Sequence, residues 1–448
     1  MLMSLYDDTF TLLQELIRNG CVNDLTADSG AEERNVATLE RFFADTPGIR
    51  TEKFEPHPTR TSLAVTVEGS DPNAEPLTLL GHIDVVPVDE PKWTTQPFAG
   101  EVIDGFIYGR GAMDMLFITA TMAAVTRDIA RRGQPAGTLT FVALADEEAR
   151  GGFGAKWISE HQPEAFSWKN CLSETGGSHL PVCDGSDAIV INVGEKGAGQ
   201  RRVRISGDAG HGSTPYGKDF AVVKIAEVAR RIANINPPML DSETWQGFVC
   251  AFRFDEATEK ALLTGASEEA YEAFGDLAGY AHAFSHTTIS QTVLRAGGAI
   301  NVLPSDAYLE MDIRPLPGQT QEDIDELLRE GLGDLADDVT IEHLIVEPAS
   351  ESPAEGPLWE AIVQTIGEFF PDVPVIPVLA TGGSDLRFAR RLGGVGYGFA
   401  LHARERTMFE ANRQLHSHDE CLAVEDLELT VRAYSSLVTK FVGASRTA

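Results

Sequence analysis

Leu77-Thr78-Leu79-Leu80-Gly81-His82-Ile83-Asp84 is apolar almost without interruption until it reaches an imidazole and a carboxylate. Such a run reads as a strand buried on both faces. A second one, Leu139 to Ala145, leads into Asp146-Glu147-Glu148, and between the two Met115, Ile118, Met122, Val125 and Ile129 recur at helical spacing. Strand, helix, strand in that order predicts a right-handed parallel crossover, and hence an α/β fold built on a helix-covered, mostly parallel sheet. Ligands gather at the carboxyl ends of strands in such sheets. His82, Asp84 and Glu147 all fall there.

Around this unit, a first helix from about Tyr6 to Arg18 carries Phe10, Leu13 and Ile17 on one face, and Leu63 to Val67 reads as a further strand. After Glu195-Lys196-Gly197 the pattern changes. Strands are expected at 201–205, 288–294, 308–313 and 339–346, and helices at 220–232 and 322–332, the β-α-β-β-α-β order of a ferredoxin-like unit. Gly-rich and Pro-rich stretches bound it, so it reads as an insertion. Residues 1–194 and 351–448 are then a discontinuous catalytic α/β domain, with 195–350 an inserted lid or dimerisation domain. Residues 256–286 read as helical, rich in Ala and Glu, and extra to the inserted unit. The last part resumes α/β order, with helices at 358–370 and 424–441 and strands at 373–379 and 394–399.

A chain of 448 residues exceeds one ordinary core, which favours two domains, or three if small ones are present. Its formal charge of -32 repels phosphate backbones and anionic lipid surfaces, so nucleic-acid and membrane partners are not expected. Cys21, Cys171, Cys183, Cys250 and Cys421 are far apart, without a Cys-x-x-Cys pair, which suggests neither a disulfide framework nor a thiolate zinc site. From Met1 to Arg18 the apolar residues are spaced as on an amphipathic helix and not gathered as in a signal peptide. A cytoplasmic location is the expectation.

The chemistry-bearing residues arrive separately. His82 and Asp84 share one side of their strand if it persists that far, so that the imidazole ligates a metal while the carboxylate orients it or a different ligand. Asp114 follows Gly109-Arg110-Gly111 at the head of the predicted helix, where helix capping is the plain alternative. Glu147 and Glu148 are adjacent, so their side chains point differently, and one can hold metal while the other moves a proton. Glu174 and His416 add a fourth carboxylate and a second imidazole. Together these groups can enclose two divalent cations about 3.5 to 4 Å apart, the arrangement that activates water for hydrolysis.

The order His-x-Asp, Gly-Arg-Gly-x-x-Asp, Asp-Glu-Glu, Glu and His-Ser-x-x-Glu resembles the di-zinc family of acetylornithine deacetylase, succinyl-diaminopimelate desuccinylase, aminoacylase, carboxypeptidase G and related dipeptidases. The likeness runs from about Leu63 to Leu427 and includes Leu80 to Pro87 and Trp93 to Gly111. It implies two zinc ions, with cobalt or manganese as substitutes. Asp114 would bridge them, His82 and Glu174 would complete one site, and Glu148 and His416 the other. Glu147 would be the general base and Asp84 a carboxylate that tunes a ligand. His211, in Gly210-His211-Gly212-Ser213-Thr214-Pro215, would reach a substrate carbonyl across a homodimer. Asn301 and Arg314 match the family's substrate contacts, a guanidinium being suited to a carboxylate, and Gly383 lies in a Gly-rich loop near the substrate. Two departures stand out. Met115-Leu116-Phe117 replaces a common Lys-Gly continuation, changing a pocket wall and not the metal site, and Thr175 replaces a smaller residue. The peptide after Asp114 is commonly cis in the family.

The expected function is a zinc-dependent hydrolase cleaving amide bonds of small peptides or N-acyl amino acids, with a dipeptidase or carboxypeptidase favoured and a deacylase as the alternative. A silent metal- and ligand-binding homologue is the rival of another class, and Glu147 argues against it. A purely structural scaffold is the third reading.

Overall fold

A computed structural model describes residues 4–443, so 1–3 and 444–448, the outermost ends of the expected catalytic domain, lie outside the described residues. The decisive strand runs from Leu77 to His82 and is buried throughout, as is its parallel neighbour Leu139–Leu144. Helix Leu116–Arg132 joins them and packs between the sheet and two more helices, Leu5–Asn19 and Val424–Phe441. Covered on both sides, it is buried almost all round, which is why its apolar face is so broad.

Strands Leu139–Leu144, Leu77–His82, Asn170–Ser173 and Val395–Gly398 lie side by side and parallel at the centre of a ten-stranded sheet. The flanks are mixed. Ile49–His57 and Arg60–Val67 add antiparallel strands at one side. At the other, Asp187–Glu195 pairs antiparallel with Val395–Gly398 and parallel with Val375–Ala380. Because His82 stands opposite Leu144, the two central strands end level, and the loops that follow them open on one edge.

A second sheet of four antiparallel strands has the order Thr288–Ala296, Asp306–Arg314, Ala198–Ser206, Val339–Glu347. Helices Ala221–Ile232 and Gln321–Leu332 cover it, and Val203, Ile225, Leu309 and Leu328 form its own core. The strand order and antiparallel pairing are those of the ferredoxin-like unit. The helical stretch after Ile232 goes elsewhere. Trp245, Phe248, Phe252, Phe274 and Phe284 form an aromatic cluster with neighbouring ring centroids 4.7 to 6.1 Å apart, and they share the core of the ten-stranded sheet. Helix Glu243–Ala251 packs directly on strand Val375–Ala380.

A small three-stranded sheet, Glu101–Ile103, Phe106–Tyr108 and Cys421–Ala423, ties the Gly109-Arg110-Gly111 loop to the far end of the chain. Its two-residue turn, Asp104-Gly105, has φ of 49° and 82°, the left-handed pair that glycine and aspartate accept most readily. Among the described residues, no helix is long and apolar enough to cross a membrane.

Candidate metal centre

Three adjacent parallel strands deliver His82, the Asp146-Glu147-Glu148 turn and Glu174 to the same sheet edge. The strand stops at His82, so alternation does not carry Asp84 to the same side as expected. Ile83 N–H still bonds Leu144 O, but Val85 N–H already bonds Cys21 O, and the chain leaves the sheet between them. Asp84 turns inward, fully buried, where its two oxygens accept the backbone N–H groups of Glu147 and Glu148 at 3.2 and 3.1 Å. Asn23 Nδ2 adds a third donor at 2.9 Å. Asp84 therefore positions the glutamate turn, while its backbone carbonyl, 3.0 Å from His82 Nδ1, orients the imidazole. A carbonyl can only accept, so Nδ1 donates to it, and Nε2 is the nitrogen turned toward the acids.

That Nε2 lies 3.2 Å from Asp114 Oδ1 and 3.7 Å from Glu174 Oε2. On the other side of Asp114, Oδ2 is 3.1 Å from His416 Nε2, which is also 3.4 Å from Glu148 Oε2. Two groups result, His82 with Asp114 and Glu174, and Asp114 with Glu148 and His416, the donor atoms of each lying within 4.8 Å of one another. Asp114 belongs to both. It does not cap the helix behind it, whose first turn is entered through Met115, and the Asp114-Met115 peptide is cis.

The electrostatics suit cations. Burial, reinforced by Asp114, raises Glu174 to about 8, and burial and Glu174 raise Glu147 well above the usual carboxylate range. Although burial opposes it, hydrogen bonding to His416 and His82 holds Asp114 far below that range. His416 rises to about 10 through its bonds to Asp114 and Glu148. Buried Glu148 Oε1 has no hydrogen-bond partner among the described residues. Four carboxylates crowded round two imidazoles fit a pair of divalent ions, whose charge would satisfy them together.

The centre opens into a cleft of about 520 Å³. Arg150, Lys196, Arg314, Gly383 and Arg387 line it beyond the acids. Arg314 is paired through Nε and Nη2 with Asp312 at 2.9 and 3.2 Å. Lys196 Nζ donates to the carbonyls of Ala283 and His286. Ser384, next to Gly383, is tethered by Glu195 Oε2 at 2.9 Å from its N and 2.6 Å from its Oγ. Beside Asp114, Met113, Phe117 and Ile118 line a small apolar recess, and Met115 Sδ accepts His82 N–H at 3.3 Å. The substituted Met115-Leu116-Phe117 segment thus shapes a wall next to the acids.

His211 and Asn301 stand outside the cleft. Both are exposed and lie together on a short ribbon, where His211 pairs with Val302 and Gly212 N–H bonds Asn301 O. Three residues that the sequence did not single out hold the centre in place: Asn23, Arg110 and Glu420. Arg110 and Glu420 stand in quoted motifs, yet only their burial reveals that each is the other's partner.

A metal-dependent enzyme built on a mixed α/β sheet, with a paired-cation centre at the strand ends, is the class that this fold and site define. The sequence matches Peptidase family M20/M25/M40 over residues 78–440, and the chain belongs to that family. The N-fatty-acyl-amino acid synthase/hydrolase PM20D1 of Xenopus tropicalis is 27% identical, covering 94% of this chain and 84% of its own. The probable carboxypeptidase S-like 2 of Dictyostelium discoideum is 28% identical over 84% of this chain and 74% of its own. The M20 family metallo-carboxypeptidase Sso-CP2 of Sulfolobus solfataricus shares the fold at a TM-score of 0.74 and 15% identity, with 97% and 99% of the two chains covered. The chain is a metal-dependent hydrolase of amide bonds in peptides or N-acyl amino acids, with a two-metal centre.

Proposed function

We propose that the protein is a zinc-dependent exopeptidase of the carboxypeptidase or dipeptidase type, acting on small peptides with a free terminal carboxylate. The observation that carries this reading is that Arg150, Arg314 and Arg387 line the same cleft as the acids, Arg387 Nη1 lying 3.9 Å from Glu147 Oε1. His82 and Glu174 would hold one ion, Glu148 and His416 the other, and Asp114 both; nitrogen and oxygen donors in this mixture suit zinc, with cobalt or manganese as substitutes. When bound, two such ions polarise a carbonyl and lower the pKa of water from 15.7 to about 7. Glu147, on the turn that Asp84 fixes, takes the proton released on attack and hands it to the departing amine. Arg314 grips the terminal carboxylate, Gly383 lets the loop backbone approach it, and Asp84 keeps the glutamate turn in register.

His211 and Asn301 would complete the site of a second copy of the chain, with His211 donating to the carbonyl oxygen. Exposed Tyr216, Ile300 and Val302 near that ribbon support a homodimer formed through the inserted unit, 195–350, acting as lid. Five free cysteines, among them exposed Cys183 and Cys250, support a reducing cytoplasm.

A second reading, N-acyl amino acid deacylase, is favoured by the apolar recess at Met113, Phe117 and Ile118 and by the name of the Xenopus relative. The test is a panel of dipeptides, N-acetyl and long-chain N-acyl amino acids, each also as its C-terminal amide. Hydrolysis of the peptides and loss of activity on amidation are expected. Turnover of acyl substrates alone would establish the second reading, and equal turnover of the amides would reject the carboxylate grip. Glu147→Gln should keep its metal while hydrolysis falls by a factor of about 10² or more.

A further inference from the structure

Away from the cleft, one more set of metal-binding side chains converges among the described residues: Glu268, His282 and His286, with donor atoms within 4.8 Å of one another. His282 lies in helix Ala278–Ser285 and His286 just beyond its end, four positions apart, so both rings leave one face. The rings are parallel within 3°, their centroids 4.2 Å apart. His286 Nδ1 lies 3.2 Å from His282 O and 3.0 Å from Ser285 Oγ. Bonding the carbonyl puts the proton on Nδ1 and leaves Nε2 as a bare lone pair, the arrangement in which metal-ligating histidines are held. His282 Nε2 is 3.3 Å from Glu268 Oε2. Tyr271 stands edge-on to both rings, at 5.2 and 5.6 Å, and walls one side.

The geometry points to a third cation site, in which Glu268, His282 and His286 hold a zinc-class divalent ion on the helical segment. Two imidazoles and a carboxylate are a zinc donor set, with the remaining position open to water. Donors at about 2.1 Å from a tetrahedral ion stand roughly 3.4 Å apart. Glu268 and His282 are both partly to largely exposed, at 67% and 39%, and free to close that distance, while buried His286 stays fixed. Because imidazole lone pairs lie in the ring planes and parallel planes do not meet, His282 must turn out of its stack on His286 to share the ion. The role is structural. Tyr280, on the same helix, lines the cleft and donates to Leu379 O at 2.7 Å, so an ion beneath that helix would brace a cleft wall.

The test counts zinc by atomic emission after the full-length chain has been equilibrated with micromolar Zn2+ and desalted. The intact chain is expected to retain three ions, His282→Asn two, and Asp114→Ala, which lacks the paired centre, one. Glu268→Gln, altered at the surface and so able to fold, should weaken the third site at least about tenfold, the lower end of what even an indirect partner of a ligand contributes. Cobalt added to Asp114→Ala should give a visible absorption band that His282→Asn in the same background abolishes. Equal zinc content with and without His282, or binding only at millimolar concentration, overturns the site. If the paired centre itself holds no zinc, the intact chain retains one ion, lost in His282→Asn, and the two failures are told apart.

Discussion

Arg110 Nη1 lies 2.6 Å from Glu420 Oε2, a contact between two buried side chains 310 positions apart in the chain. The other oxygen of Glu420 accepts the backbone N–H groups of Met113 and Asp114 at 2.8 and 3.0 Å. One carboxylate thus fixes the loop that presents Asp114, four positions from His416 on the opposite side of the centre.

Removing one partner of this pair leaves an uncompensated buried charge, which costs about 3 to 5 kcal/mol. Glu420→Ala and Arg110→Ala are each expected to lower stability by that order in urea denaturation. The double variant should lose less than the sum, because the stranded charge is gone. Strict additivity would mean that the two side chains are not energetically coupled.

The shared position of Asp114 gives an unequal pattern of metal loss. Asp114→Ala is expected to empty both positions of the centre, whereas Glu174→Ala and Glu148→Ala should each empty one. Metal analysis of the three purified variants reads this directly. Metal-free protein should also gain stability on adding zinc, by about 4.1 kcal/mol for each ion bound at a thousandfold excess over its dissociation constant. One ion lost in Asp114→Ala would remove the bridge from the account.

Asp84 acts through the backbone of the glutamate turn, so its loss should be felt at the metal. Asn at this position keeps one acceptor oxygen for the two N–H groups that now share a carboxylate. Asp84→Asn is expected to fold, to bind metal roughly 10 to 100-fold more weakly, and to hydrolyse substrate more slowly. Metal affinity equal to the parent, measured by competition with a chromophoric chelator, would place Asp84 outside the machinery.

The central crossover was legible because strands buried on both faces leave unbroken apolar runs, and the helix between them shows its period. The flanking strands were less so. Ile49–His57 lies at the sheet edge with mixed burial, and its charged sequence resembles a loop. The four acids and two imidazoles were readable from their flanks, but the order of contact was not. Asp84 looks like a strand residue until the sheet is seen to end at His82, and Glu420 carries no local sign that its partner is Arg110. The helical segment 256–286 gave no role because its aromatic residues pack on strands distant in sequence.

Lys196 gives a test that needs no substrate. Its side chain is almost wholly buried, and burial, with Arg314 nearby, lowers its pKa from 10.5 to about 7. A folded pKa below the unfolded one means that between pH 7 and 10.5 the unfolded chain binds a proton the folded chain does not. Stability then rises with pH across that window, by at most about 1.4 kcal/mol per pH unit, and the contribution is flat below it, where both states are protonated. Lys196→Met removes this titration but not those of other groups, so the difference between parent and variant isolates it. From pH 7.5 to 9.5 the parent is expected to gain on the variant by up to about 2.7 kcal/mol in urea denaturation. The carbonyls of Ala283 and His286 and the hydroxyl of Thr288 work the other way, since three acceptors favour the ammonium form. A difference that stays constant over the window would show that these acceptors offset burial and that Lys196 remains charged against the cleft.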